Sequence, residues 1–469
     1  MAAGARRSRA SLDRLGRLGS CLGLMNRAFD GLQRDAKTPA ELPDIAAKLH
    51  AELTALHAQT ADVGFAFLGG RLYAECTAVS AEASEHQLLL ERLAHCRVKY
   101  LAFMKGVSAE DLLGFFRLMD DEAKRPSPEP LAGRLAHAKI ETVRVVQSPP
   151  GDSPAAGLRS PWDWYKTAVA EVDGAQVRIL AEQKAGIQPL TALADELITA
   201  MRATGRERFL LLPLLGRGMD PHVVHSVNVA ILCCALGELH KLDFEQLRTL
   251  CTAAFLHDAG RCIVPVEWAR EQARLTGFER VVVHQHSTWG FLLLGRDREI
   301  PRELAVLAAY HHSNPMRSPK GQMYEPDVFH RILHIADAYD LSVFDDRRYW
   351  RKHRQDRMLK SILRGRGRRY DPTAAKLLVN CVGYHPVGSL VRLDDGRRAV
   401  VVRPGACNPE RPKVWLFEEQ HFQVVDLMEL DAAGLRFVRG VRDVLAPEPG
   451  LDVGRLVADN AEQLLSDSL

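Results

Sequence analysis

The segment TAAFLHDAGR, residues 252–261, places two ionisable side chains at the end of an apolar helical pattern. Spacings of three and four residues put both on the apolar stripe formed by Leu247, Leu250, Cys251, Ala254, His257 and Asp258. Burying a carboxylate without a partner is costly. We therefore expect His257 and Asp258 to belong to a hydrogen-bonded network, an ion pair or a metal site.

Composition excludes several classes of protein. A chain of 469 residues with 46% hydrophobic residues is long enough for two to four soluble domains. A net charge of +3 gives no global field that would attract a nucleic-acid polymer or an anionic membrane. The longest apolar runs, such as VVHSVNVAILCCALG, are too short and too polar to span a bilayer. Nine cysteines without a CxxC spacing are typical of a reducing compartment and predict a cytoplasmic protein.

Four regions follow from the change of pattern along the chain. Residues 1–146 mix helical and period-two segments, which predicts an α/β domain with a regulatory or interaction role. Residues 147–161, QSPPGDSPAAGLRSP, predict a linker. Residues 162–382 are almost entirely helical in pattern, and residues 383–469 predict a small β module with a C-terminal helix.

Histidines concentrate in the helical region, where ten of the eighteen lie between residues 222 and 334. Any one of them alone is explained by a satisfied core histidine, but together they place imidazoles and carboxylates on the apolar faces of five successive helices. Imidazole and carboxylate are ligands for Zn, Fe, Mn, Ni and Co. Seven such groups exceed what one ion needs, so the pattern predicts two ions that a carboxylate next to a histidine bridges.

The segments HSVNVAILCCALG, AAFLHDAGRCIVP, HQHSTWGFLLL, AAYHH and RILHIADAYD resemble the HD-GYP branch of the HD-domain metal phosphohydrolases in order and spacing. The resemblance covers roughly residues 165 to 440, including the β module. It implies an HD-type helical bundle with two divalent transition-metal ions, usually iron or manganese. It also implies hydrolysis of cyclic di-GMP or a related cyclic dinucleotide by a metal-bridging hydroxide. The implied metal ligands are His225, His257, Asp258 as the bridge, His286, His311, His312 and Asp337.

Three departures from the family pattern refine this expectation. Members with a third metal carry Glu where this chain has Pro221, so we expect two ions. The catalytic lysine of the family is Arg261 here, which can stabilise a leaving oxygen but cannot protonate it. The GYP triplet is absent from the loop between Ser313 and Tyr324, which predicts slow cleavage and relaxed choice among cyclic dinucleotides.

A basic stretch follows the last predicted ligand. From Arg347 to Arg369 the chain has eleven Lys or Arg residues and one acid, Asp356. A solvated basic face and a phosphate-binding surface both explain this composition. The resemblance implies that Arg347 or Arg348 contacts the substrate phosphate.

The fold class is thus mainly α, an HD-type helical bundle preceded by an α/β domain and followed by a small β module. The predicted function is a metal-dependent cyclic dinucleotide phosphodiesterase. The alternatives are a degenerate HD domain that binds a nucleotide or a protein partner without turnover, and an HD phosphohydrolase for another phosphoester. A protein partner that binds residues 1–146 and a homodimer are both compatible with the sequence. Neither a membrane nor a nucleic-acid polymer is expected as a partner.

Overall fold

The protein is described from a computed structural model. The described residues are 2–34, 41–58, 60, 62–68, 71–74, 77–78, 86–124, 129–147, 159–181, 184, 186–216, 219–264, 276–316, 326–343, 355–405, 408–417, 423–428, 440–445 and 451–465. Two compact units divide the chain: Met1–Arg159 with Ile198–Gly205, and Ser160–Leu197 with Arg206–Leu469. The finer domain boundaries at residues 146, 161 and 382 stay predictions.

The first unit combines helices with an antiparallel sheet. Its helices are α1 (Ala2–Arg34), α2 (Leu42–His57), α3 (Gln87–His95), α4 (Ala109–Lys124) and α5 (Leu131–His137). Its strands are β1 (Asp62–Leu68), β2 (Arg71–Ala74), β3 (Thr77–Ala78), β4 (Val98–Met104) and β5 (Val143–Gln147), in the order β3-β2-β1-β4-β5. Period two in β1 buries Val63 and Phe65, and Phe65 lies opposite Leu101 of β4. The predicted mixture of helix and strand is confirmed.

The core of the first unit is aromatic. The Phe103 ring meets the Phe115 ring edge to face with centroids 5.9 Å apart, and Phe29 meets Phe116 in the same way at 5.4 Å. These rings are fully buried among leucines of α1, α2 and α4. The described part of this unit offers no cluster of metal-ligating side chains.

The second unit is mainly helical. Its helices are α6 (Pro161–Leu180), the first part of α7 (Ile187–Thr204), α8 (Arg206–Phe209), α9 (Pro221–His240), α10 (Phe244–Leu256), α11 (Gly277–His284), α12 (His286–Leu294), α13 (Arg302–Tyr310), α14 (Val328–Val343), α15 (Gln355–Arg364), α16 (Pro372–Val382), α17 (Val453–Asp459) and α18 (Ala461–Leu464). Short 3₁₀ segments occur at Leu212–Leu214 and Ala259–Ile263.

Helix α9 is the central helix of this unit. The Asp220 side chain caps it by accepting hydrogen bonds from the backbone N–H groups of His222 and Val223, and Lys241 ends it in the left-handed conformation. The helix packs against α6, α10, α14 and α16 and is buried on nearly all sides. It is long and apolar enough to cross a membrane, so the expectation that its apolar run is too short and too polar is wrong, but 78% of its apolar window is buried inside the protein.

A five-stranded antiparallel sheet forms the β module. Its strands are β6 (Leu390–Leu393), β7 (Arg398–Arg403), β8 (Lys413–Trp415), β9 (Val424–Asp426) and β10 (Val441–Val444), in the order β10-β6-β7-β8-β9. Val401 of β7 and Val414 of β8 form its core with Leu393 and Leu416. The predicted small β structure is confirmed, as is the mainly helical fold class, while the predicted C-terminal helix is divided into the short helices α17 and α18.

Candidate metal centre

The seven predicted ligands converge in the second unit. They form two groups in which the ligand atoms lie within 4.8 Å of one another. The first group is His225, His257 and Asp337, and the second is Asp258, His286, His311 and His312. Helices α9, α10, α12, α13 and α14 or the residues directly after them carry these side chains.

Most of the ligand-type side chains lie at helix ends rather than along helix stripes. Helix α10 ends at Leu256, so His257 is its C-cap and Asp258 already begins a 3₁₀ segment. Helix α13 likewise ends at Tyr310, directly before His311 and His312. The expected continuous stripe through Asp258 is therefore wrong. The turn after Leu256 is what points His257 and Asp258 into the same site.

The last carbonyls of three helices fix the orientation of three imidazoles. The Nδ1 atom of His257 lies 2.7 Å from the Ala254 oxygen, and that of His311 lies 2.7 Å from the Ala308 oxygen. His286 makes the same bond to a carbonyl three residues earlier, in the last turn of α11. Such carbonyls have no partner within their helix, and a carbonyl only accepts. Each Nδ1 is therefore protonated, and each Nε2 is left as a ligand atom that faces the site.

His225 is held by carboxylates instead. Its Nδ1 donates to Asp340 Oδ2 at 2.7 Å, and its Nε2 lies 3.1 Å from Asp337 Oδ1. Burial opposes protonation, but these two carboxylates outweigh burial and raise the pKa of His225 to about 10. The sequence analysis did not assign a role to Asp340. Its position three residues after Asp337, on the same face of α14, was the available signal.

Asp258 lies between the two groups. Its Oδ1 is 3.1 Å from His286 Nε2 and 3.5 Å from His311 Nε2. Its Oδ2 is 3.7 Å from His225 Nε2 and 3.8 Å from His257 Nε2. Each carboxylate oxygen therefore faces one group, which is the arrangement expected of a bridging ligand.

Charge and burial keep His257, His311, Asp258 and Asp337 in the protonation states that bind metals, whereas His225 must first lose a proton. Burial lowers the pKa of His257 to about 4 and that of His311 well below its usual range, so both imidazoles are neutral near pH 7. Burial opposes ionisation of Asp258, but Arg261 and the surrounding histidines hold its pKa well below the usual range. Burial also opposes ionisation of Asp337, but hydrogen bonds to His225 and His312 outweigh it and hold the pKa of Asp337 well below the usual range. Neutral imidazole and ionised carboxylate are the forms that coordinate metals.

One buried atom shows that the site fits a cation. His257 is fully buried, and its Nε2 makes no hydrogen bond within the described part of the chain. An imidazole nitrogen aimed at two carboxylates without a hydrogen-bond partner is costly in the protein alone and satisfied by a metal. The donor set of imidazole and carboxylate suits a divalent transition metal.

Arg261 lies directly beside the centre. Its Nε donates to Asp258 Oδ2 at 2.5 Å, and its side chain is almost fully buried. The Asp258 oxygen that faces His225 and His257 therefore also accepts a hydrogen bond from Arg261. Of the predicted substrate contacts, Arg347 and Arg348 lie outside the described residues, as does most of the loop between Ser313 and Tyr324.

A close backbone approach joins the Asp258 turn to helix α12. At Gly260 a Cβ atom would lie 1.9 Å from the carbonyl oxygen of His286 and 2.4 Å from the backbone nitrogen of Gly290. Glycine at position 260 therefore lets the turn that carries Asp258 contact the helix that carries His286. The sequence analysis did not identify this requirement.

Comparisons with known proteins agree with this geometry. Residues 223–342 match the HD domain family, a range that includes all seven ligand-type residues. A cyclic di-GMP phosphodiesterase of Pseudomonas aeruginosa is 26% identical over 289 residues, which are 60% of this chain and 69% of that protein. Cyclic di-GMP phosphodiesterase PdeB of Borreliella burgdorferi is 24% identical over 41% of this chain and 51% of its own length. A 3′3′-cGAMP-specific phosphodiesterase of Vibrio cholerae is 24% identical over 33% of this chain and 30% of its own length.

The matched family, the similar proteins and the order of the ligand-type residues along α9 to α14 agree with one another. The chain carries an HD domain at residues 223–342 and is similar in sequence to proteins named as cyclic dinucleotide phosphodiesterases.

Proposed function

We propose that the protein is a metal-dependent phosphodiesterase that hydrolyses cyclic di-GMP or a related cyclic dinucleotide. The observation that carries this proposal is the position of Asp258 between two groups of ligand atoms, with one oxygen toward each. An arrangement of this kind serves chemistry in which two cations act on one phosphodiester. The similar proteins named for cyclic dinucleotides support the substrate class.

The ligands of the two ions follow from the two groups. His225, His257 and Asp337 would hold one ion, and His286, His311 and His312 the other. Asp258 would bind both, because its two oxygens face different groups. Iron or manganese suits these nitrogen and oxygen donors. When bound, the ions supply Lewis-acid activation of the phosphodiester and of water at neutral pH.

The protein's own residues prepare this site. Helix-end carbonyls hold three imidazoles in the tautomer that leaves Nε2 free to bind, so little reorganisation is needed on metal binding. The Arg261 guanidinium provides a fixed positive charge beside Asp258. It can stabilise charge on a leaving oxygen, but it cannot supply the proton. Arg347 and Arg348 are proposed to contact a substrate phosphate.

The missing GYP triplet shapes the expected activity. Loops align the phosphodiester for in-line attack, and a misplacement of about 1 Å can cost on the order of 10²-fold in rate. We therefore expect slow hydrolysis with relaxed selectivity. The alternative function is a module that binds a cyclic dinucleotide or a protein partner without turnover.

The test is hydrolysis by protein that is reconstituted anaerobically with Fe or Mn. Cyclic di-GMP, other cyclic dinucleotides and bis(p-nitrophenyl) phosphate should all be cleaved, the last because it needs only the metal centre. His257→Ala removes a ligand atom that makes no hydrogen bond within the described residues and should abolish every one of these activities. Equal rates for wild type and His257→Ala on every substrate would refute the proposed phosphodiesterase activity and favour the alternative function of binding without turnover.

Cellular location and partners belong to the same proposal. The cysteines of the described chain are all free thiols, most of them buried, which suits a reducing cytoplasm. The first unit is proposed to regulate the activity or to bind a protein partner, and homodimer formation is a further expectation. Size-exclusion chromatography with light scattering tests the homodimer.

A further inference from the structure

Solvent reaches the metal centre at His312. About 34% of the His312 side chain is exposed, whereas the other six ligand-type side chains are at most 7% exposed. Its Nδ1 lies 3.4 Å from Asp337 Oδ2, so the exposed ring is part of the centre. A substrate must therefore approach from the side on which His312 lies.

A turn rich in arginine is attached to the chain just after His312. The Asn314 side chain donates to the Arg368 carbonyl at 2.9 Å. Gly367 has a positive φ of 74°, and its N–H donates to the Tyr370 carbonyl at 2.9 Å, which closes the turn. We name residues 366–369 the arginine turn.

A second set of contacts connects the arginine turn to His311, one of the predicted metal ligands. The Arg369 guanidinium lies 5.5 Å from the centre of the Tyr370 ring, and this ring lies 5.5 Å from the ring of His334. His334 in turn donates from Nδ1 to the backbone oxygen of His311 at 2.8 Å. Tyr370 and His334 are buried, so they hold the arginine turn at a fixed place next to the centre.

The arginine turn is available to an anion. Arg366, Arg368 and Arg369 are exposed, and no carboxylate in the described ranges pairs with them. Arginine presents a planar set of donors that matches the oxygens of a phosphate. Helix α15, which precedes the turn, adds further positive charge.

We propose that Arg368 and Arg369 bind the second phosphate of a cyclic dinucleotide while its first phosphodiester lies at the metal centre. The inference rests on the proposed function. A cyclic dinucleotide carries two phosphodiesters in one ring, and only one of them can be at the metals. The other must lie a short distance away on the open side, where the arginine turn provides the positive charge.

The test compares two double variants of the full-length, metal-loaded protein. Arg368→Gln/Arg369→Gln should raise the KM for cyclic di-GMP by about 10- to 100-fold, the loss expected for charge-assisted hydrogen bonds to a phosphate. Its kcat/KM for bis(p-nitrophenyl) phosphate should stay unchanged, because that substrate has one phosphate. Arg298→Gln/Arg302→Gln removes two exposed charges elsewhere in the unit and is the matched control, with no change on either substrate.

The outcomes separate this inference from the proposed function. An unchanged KM for cyclic di-GMP in the Arg368/Arg369 variant, with hydrolysis of both substrates intact, would overturn the inference alone. Loss of both activities to the same extent would also overturn it, since the turn would then support the metal centre itself. Arg368→Lys/Arg369→Lys should recover part of the lost affinity, because lysine restores the charge without the paired geometry.

Discussion

Replacing Gly260 by alanine tests how the turn that carries Asp258 is held against the helix that carries His286. The added Cβ would lie 1.9 Å from the carbonyl oxygen of His286, whereas ordinary contacts begin near 3.4 Å. The turn that carries Asp258 and the helix that begins at His286 must therefore separate by about 1.5 Å. Both neighbours are backbone atoms, so no side chain can move aside to relieve the contact.

The expected effect on the metal centre is large. Asp258 Oδ1 and His286 Nε2 are 3.1 Å apart, and metal–ligand distances tolerate changes of only about 0.2 Å. A separation of 1.5 Å should remove one ion and lower the rate by on the order of 10²-fold or more. Overpacking of this kind also costs about 1–3 kcal/mol of folding free energy.

Three glycines form a graded series. A Cβ at Gly277 would have no neighbour within 4 Å, and one at Gly290 would lie 3.3 Å from the Gly260 nitrogen. Elemental analysis, hydrolysis of bis(p-nitrophenyl) phosphate and thermal unfolding should all rank the alanine variants in the order Gly277, Gly290, Gly260, from the least to the most affected. A Gly260→Ala protein with two ions per chain and wild-type hydrolysis would refute the reasoning.

Three further predictions concern the side chains around the centre. Asp340→Asn should weaken metal binding about 10- to 100-fold, because Asp340 orients His225. The control Asp371→Asn should leave metal binding unchanged, since asparagine caps helix α16 as well as aspartate does. Competition with a metal chelator measures both affinities, and equal affinities would contradict the role of Asp340. In the metal-free protein the pKa of His225 is raised to about 10, so its Nε2 is protonated at pH 7 and the stability it contributes is lost as the pH rises through 10. Metal binding at pH 7 should therefore release about one proton from His225, which calorimetry in buffers of different ionisation enthalpy detects; uptake of a proton or none would be inconsistent. Arg261→Lys supplies a proton donor and should raise kcat on cyclic di-GMP roughly 10-fold. The rate on bis(p-nitrophenyl) phosphate should not change, because its nitrophenolate leaves unprotonated. A parallel change on both substrates would contradict the role of residue 261 in protonating the leaving oxygen.

The sequence alone determined the types of side chain at the centre and the elements that bring them in. His225 and Asp337 lie on helices that the apolar spacing predicts, and all seven predicted ligands do converge. The mainly helical fold and the small β module also follow from local pattern, because periodicity reports which face of an element is buried.

Only the tertiary structure decided how these side chains face one another. Periodicity placed Asp258 on the stripe of α10, whereas the helix ends at Leu256 and a turn directs Asp258 between the two groups. The pairing of His225 with Asp340 spans 115 residues, and the contact of Asn314 with Arg368 spans 54. Local spacing carries no information on which distant elements meet. That depends on the packing of the whole helical unit around α9, and so does the close approach at Gly260 that brings the turn carrying Asp258 against the helix carrying His286.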